Sequence, residues 1–386
     1  MSNPEHISLY IFLFILFFVW GKYYYNTKSN LRFWILALVP ILAYALIVGS
    51  RYGWGPDYLS YKERFEHAFT YVEDQEGFRW LNQTMNSFGF SYGGAYITYS
   101  LIFIICAFTF IRSFGSESKY MYAFLIPASL ILISSAIRQG VALSFVLLAW
   151  YFFDKRKWLL FALAVFVGAS IHTTVLLTTA MIGAFYFTRK WRINWRISIP
   201  LYLFFTFVFD ARKLGIIANY MKTLSVNSHF QSYLENSDEW FGKDAAKDIY
   251  EQSTDALILS SLFHIAIIYL GYIALKYRSN EKLVWLYNVV VFGFVFDRAV
   301  FYFEILRRIA EPLMMFYFVI LGYIVLIFFN RNTLKKVVLF NGESTAQLRN
   351  DMIFFRMGLI TILLYLLLFW GRFIFLSPDH LFFWNL

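Results

Sequence analysis

A polytopic, all-α transmembrane protein is what this chain predicts, and three observations carry the prediction. Hydrophobic residues make up 60% of it and charged residues only 15%, where a soluble domain carries about a quarter charged residues. Apolar runs of about 20 residues, the length that crosses a bilayer, recur along the chain. The segments between them alternate in charge: short Lys/Arg clusters on one set of turns, mixed or acidic stretches on the other. The mean hydropathy is +0.56. The net charge of +10 therefore reflects orientation in a bilayer and not nucleic-acid binding. Cys106 is the single cysteine, which excludes an internal disulfide framework and reads as a buried thiol.

The elements follow in order. A first run from Ile7 to Tyr25 is preceded by Pro4, Glu5 and His6 and not by a basic leader, so it is expected to be a retained span. A second run covers Leu31 to Ser50. Lys22, Lys28 and Arg32 mark the turn between them as cytoplasmic, which puts the stretch that follows outside. Within that outer segment Gly53, Gly55 and Pro56 impose a tight turn, and EDQEGFRWLNQTMNSFGF reads as a surface helix and a turn. The next span is Tyr92 to Ile111.

Tyr120 to Phe153 is too long for one span and breaks at SSAIRQG, with two short helices meeting at Arg138 and Gln139. Trp158 to Phe187 would measure about 45 Å as one helix. Arg156 and Lys157 precede it and Arg189, Lys190, Arg192 and Arg196 follow it. Both ends are thus expected on the cytoplasmic side, and the stretch becomes a hairpin with its tip at Ser170 to Thr174. Four further apolar stretches follow, beginning at Ile197, Ala256, Leu283 and Ile309, and a last one covers Ile353 to Trp370. The expected architecture is about ten full spans plus a short re-entrant-like hairpin. It forms a single membrane domain over 1–386, with outer polar loops at 51–91 and 210–255.

This topology gathers unusual residues on the outer side: Arg51, Asp57, Arg138, His172, Asp297, Arg298, Glu304, Arg307 and Arg308. Outer arginines run against the positive-inside rule, so they call for another reason. A guanidinium fork matches phosphate oxygens in bidentate geometry, and three such forks from separate spans suit a diphosphate at the membrane surface. Tyr52, Trp54, Tyr58 and Tyr61 offer flat faces for sugars or for the membrane interface. Other groups read as structural. Asp297 and Arg298 form an ion pair, His264 makes an interhelical contact beside Ser260 and Ser261, and one of Arg307 and Arg308 pairs with Glu304 or Glu311 at helical spacing. No metal-ligand spacing, phosphate-cradling glycine loop or Gly-x-Ser-x-Gly elbow occurs.

Arg51, Gly55, Asp57, Tyr58 and Tyr61 form a motif, Arg-x-x-x-Gly-x-Asp-Tyr-x-x-Tyr. It is followed by Arg138-Gln139 before an apolar helix, by Ile171-His172-Thr173, and by Arg307-Arg308. In order and spacing these four resemble the EpsG-like family of bacterial polysaccharide polymerases. The resemblance implies a Wzy-type, GT-C-like glycosyltransferase of the bacterial inner membrane with its site facing outward, making O-antigen, capsule or exopolysaccharide. It implies that a growing glycan moves from undecaprenyl diphosphate to the non-reducing end of a lipid-linked repeat, with no cofactor and with a chain-length regulator as a partner. The site it implies has Arg51, Arg138, Arg308 and Arg307 on the diphosphate, and Tyr58, Tyr61, Gln139 and Glu304 on the substrate. His172 and Asp57 are the candidates for the base. His172 is expected to take the hydroxyl proton and Asp57 to orient, because a neutral imidazole titrates nearer the working pH.

Two rival readings carry different expectations. A membrane-bound O-acyltransferase would draw an acyl donor from the cytoplasm, whereas the polar constellation here faces the other way. A lipid-oligosaccharide flippase or transporter would show repeat symmetry and polar residues along a membrane path, and the mid-span regions here are mostly apolar.

Overall fold

The computed structural model describes residues 4–53, 57–71, 75–209, 253–301, 304–330, 345–375 and 381–382. The turn residues Trp54, Gly55 and Pro56, most of the 210–255 loop and residues 331–344 lie outside the described residues. The described residues form a predominantly helical, membrane-type assembly. The helices are α1 (Pro4–Tyr24), α2 (Asn30–Gly49), α3 (Tyr58–Glu66), α4 (Glu76–Ser87), α5 (Tyr92–Arg112), α6 (Met121–Ser135), α7 (Ile137–Asp154), α8 (Trp158–Ile171) and α9 (Thr174–Tyr186). They continue with α10 (Trp195–Leu203), α11 (Thr254–Tyr277), α12 (Glu281–Ala299), α13 (Glu304–Met315), α14 (Tyr317–Phe329) and α15 (Thr345–Phe375). Among the described residues, Asn30–Gly49, Tyr92–Arg112, Thr254–Tyr277 and Leu306–Phe329 are long and apolar enough to cross a membrane; Ser8–Tyr24, Trp158–Ile171, Thr174–Tyr186, Trp195–Val208 and Met352–Leu368 are shorter apolar helices.

Local chemistry sets the helix ends. Ser29, Ser91 and Ser253 each accept a first-turn amide through their hydroxyls, from Arg32, Gly94 and Ala256, and Asn194 and Asn280 accept through their Oδ1 atoms from Arg196 and Lys282. The break between α6 and α7 falls at Ala136 (φ −109°, ψ 59°), so Arg138 and Gln139 sit in the first turn of α7 and not at the junction itself. Gly140 permits the sharp reversal there: a Cβ would come within 2.6 Å of Ile133 Cδ1 and 3.2 Å of the Leu132 carbonyl.

The Trp158–Tyr186 stretch folds back on itself. Phe153, at the end of α7, meets both Trp158 (ring centroids 5.1 Å) and Tyr186 (4.9 Å), so the two ends of the stretch lie side by side. The chain reverses at His172, whose backbone is extended (φ −152°, ψ 115°).

The helix ends sort into two groups. At one end, Lys282 Nζ reaches Ser113 Oγ (2.6 Å) and Asp154 Oδ2 (3.1 Å). Arg278 pairs with Glu117 (2.6 Å), Arg189 with Glu281 (3.0 Å), and Arg112 donates to Asn30. At the other end, Arg51 Nη2 donates to the Ile133 carbonyl (2.5 Å) and Gln139 Nε2 to the Arg308 carbonyl (2.6 Å). There too a two-residue strand, β1 (Arg51–Tyr52), pairs antiparallel with β2 (Leu381–Phe382), Arg51 opposite Phe382 and Tyr52 opposite Leu381. This second end carries the candidate site.

Candidate functional site

Two helices distant in sequence bring cations to one histidine. His172 lies in the turn between α8 and α9 and is 7% exposed. Arg138, from the first turn of α7, and Arg308, from α13, are its charged neighbours. The same two guanidiniums act on Tyr61 of α3, together with Asp57 and Arg64; burial pushes the Tyr61 phenol up and Arg138 opposes it. Gln139 joins the α7 and α13 contributions through its bond to the Arg308 carbonyl; at 5% exposure it is a tie between helices rather than a surface for a ligand.

The hydrogen bonds of His172 fix its tautomer. The Thr174 backbone N–H, which can only donate, points at Nδ1 (3.4 Å), and the Thr174 hydroxyl lies 2.7 Å from the same atom. Nδ1 is therefore an acceptor and the ring proton belongs on Nε2. Burial, then Arg138 and Arg308, push the His172 pKa down to about 3. Neutral at physiological pH, the ring presents Nε2–H as a donor. Asp57 stands at the N-cap position of α3, exposed, and its carboxylate makes no capping hydrogen bond.

The adjacent arginines diverge, as consecutive helical residues do by about 100°. Arg308 joins Arg138 and His172. Arg307 turns to Asp297 (Nε–Oδ1 3.4 Å) and to Glu311 (3.7 Å), the helical pairing expected for one of the two. It borders a buried network in which Arg298 Nε donates to Tyr202 Oη (3.2 Å) and Nη2 to Ser260 Oγ (3.0 Å). Tyr202 Oη in turn lies 3.0 Å from His264 Nδ1. Arg298 and Asp297 approach to 3.9 Å, and His264 stacks on Phe294 (4.0 Å). These are the interhelical contact anticipated for His264 and the ion pair anticipated for Asp297 and Arg298.

Arg51 is placed differently from the other arginines. It is 1% exposed, bound to the Ile133 carbonyl in the last turn of α6, with its guanidinium over the Tyr96 ring (4.9 Å) and Tyr10, Tyr44 and Tyr58 around it. Tyr96 Oη points at the same carbonyl (3.4 Å). A helix end leaves its last carbonyls without partners, and Arg51 supplies one. Tyr58 is equally buried, its ring against Tyr52, Tyr92 and Tyr96, so its flat face is used in packing. Gly53 has φ +68°, as the turn after Arg51 requires, while Gly55 and Pro56 lie outside the described residues. Glu304 begins α13, and its side chain lies outside the described residues. Sequence reasoning missed Gln75 and Arg64. Arg64 lies over the Tyr61 and Tyr71 rings (5.4 and 5.2 Å) on a surface helix, where a cation needs no explanation.

Fold and site together define a helical membrane protein whose cations and imidazole converge where its helices end. A family model named EpsG matches residues 34–341, and the chain belongs to the EpsG family, a polysaccharide polymerase-like family. The matched stretch holds Arg51, Asp57, Arg138, His172, Arg307 and Arg308. No curated protein and no solved structure matches the chain.

Proposed function

We propose that this chain is a Wzy-type, GT-C-like polysaccharide polymerase of the bacterial inner membrane. In this reading about ten spans and one re-entrant hairpin make a single domain, and the end bearing Arg138, His172 and Arg308 faces away from the cytoplasm. The observation that carries it is the meeting of Arg138 and Arg308, from separate helices, beside His172. A hydroxyl at the non-reducing end of a lipid-linked repeat attacks the anomeric carbon of the growing chain. The bond from that carbon to the diphosphate oxygen breaks, and undecaprenyl diphosphate leaves with the bonding pair. Arg138 and Arg308 meet the charge that develops on it. His172 contributes Nε2–H as a donor to the same oxygens. With Nδ1 occupied, the hydroxyl proton passes to the Asp57 carboxylate, and the role of base moves from the imidazole to Asp57. Tyr61, beside the cations, offers a ring face to a sugar.

Purified protein given lipid-linked repeat units yields a ladder of polymer with release of undecaprenyl diphosphate. An acylated product, or movement of the repeat across the bilayer without extension, would sink the reading. Single-cysteine labelling tests orientation separately. Positions 155–157 and 189–196 react from the cytoplasmic side, and positions 170–174 from the outer side. Labelling of the two basic loops from opposite sides would contradict the hairpin in the membrane.

A further inference from the structure

We infer that Gln75 is a positioning residue for His172, acting from the peripheral helix α4 on the tip of the α8–α9 hairpin. The inference rests on the role proposed for His172 above. Gln75 occupies the N-cap position of α4, where Ser, Thr, Asp or Asn is favoured, and its side chain caps nothing in its own helix. Instead it grips Thr173 twice. Gln75 Oε1 accepts the Thr173 backbone N–H (3.0 Å), and Gln75 Nε2 donates to Thr173 Oγ1 (3.1 Å). A local rule broken in this way points to a gain elsewhere.

That gain is visible in the first amides of α9. An α-helix leaves its leading N–H groups without intrahelical partners. Here Thr173 N–H goes to Gln75, Thr174 N–H to His172 Nδ1, Val175 N–H to the His172 carbonyl (3.1 Å) and Leu176 N–H to the Thr173 carbonyl (3.1 Å). The imidazole is one of two side chains holding the helix start, and Gln75 is the other. Without Gln75, the exposed Thr173 N–H and hydroxyl turn to water, and the turn that sets the Thr174 contact to the ring loses its tie to α4.

An independent contact keeps α4 within reach. A Cβ on Gly77 would fall 2.2 Å from Ser170 Oγ and 2.7 Å from its carbonyl carbon, so helix and hairpin tip touch through backbone. Phe78 and Met85 bury on the inner side of α4, and Tyr99 Oη donates to Asn82 there, which fixes the helix from which Gln75 reaches.

The test uses the full chain in lipid nanodiscs with 15N-labelled histidine. The His172 signals are assigned by their absence in His172→Gln. Wild type gives the neutral, Nε2-protonated tautomer. Gln75→Met, equal in length but unable to hydrogen-bond in this way, gives a mixture of tautomers; Gln75→Glu, which accepts through either oxygen, keeps the wild-type pattern. In chain extension Gln75→Met loses about tenfold in kcat with KM little changed, and Gln75→Glu restores most of it. An unchanged tautomer pattern in Gln75→Met overturns the inference, as does a wild-type kcat. The spectrum needs no turnover, so a tautomer shift in a protein that never polymerises would reject the proposed function and leave the role of Gln75 standing.

Discussion

Arg138→Ala and Arg308→Ala each lower chain extension by about a hundredfold or more while leaving a folded, membrane-inserted protein. The size follows from the removal of one preorganised donor from developing charge, which costs about 100- to 1,000-fold. Lysine at either site restores little, because a point charge does not reproduce the fork. Arg51→Ala gives the opposite pattern. Its guanidinium is buried and serves the Ile133 carbonyl, so its loss leaves that acceptor only the long Tyr96 contact and opens a space among tyrosines, destabilising the protein by about 2–4 kcal/mol. Thermal unfolding in nanodiscs, measured beside the polymer ladder, separates the two classes. Wild-type extension by Arg138→Lys and Arg308→Lys would show that diffuse positive charge suffices. A cleanly folded but inactive Arg51→Ala would return that arginine to the ligand.

The second large effect concerns the proton. Asp57→Asn lowers kcat by about 100- to 10,000-fold, the range for a general base. His172→Gln, which retains an N–H donor, is milder than His172→Ala. The pH profile carries the sign. Burial and the two arginines hold the His172 pKa near about 3, so the ring binds no proton between pH 6 and 9. Extension should then lack an acid limb centred in the ordinary histidine range. Such a limb in wild type, abolished in His172→Ala, would restore the imidazole as base. Bound diphosphate would raise the histidine pKa by neutralising the arginines, so single-turnover and steady-state profiles both need measuring.

Much of this was legible in the sequence because the bilayer leaves few choices. The hairpin at His172 followed from basic residues on both flanks of an apolar stretch too long for one crossing. The apolar runs beginning at Leu31, Tyr92 and Leu283 start within two residues of the helices that begin at Asn30, Tyr92 and Glu281. The convergence of Arg138, His172 and Arg308 followed from placing all three at one end. What stayed hidden was direction. Tyr10, Tyr44, Tyr58 and Tyr96 come from four helices, and nothing in an apolar run says which tyrosines share an interior, so Arg51 read as outward-facing when it is sealed among them. Arg307 and Arg308 could be told apart only once Asp297 was placed, since spacing alone offered Glu311 to either. Gln75 left one faint signal, a glutamine where a helix start prefers a shorter polar residue.

The ladder between Arg51–Tyr52 and Leu381–Phe382 has a consequence for biosynthesis. Arg51 leaves the ribosome early, yet the strand that pairs beside it is made only after every intervening helix. Through most of translation the backbone of Arg51 and Tyr52 thus awaits its partner strand, and its edge is one that other strands could join. A stop codon ahead of Leu381 would yield chains that insert normally but carry this edge permanently. Such chains should be cleared faster by membrane quality control than the full chain, which pulse–chase turnover of the two would reveal.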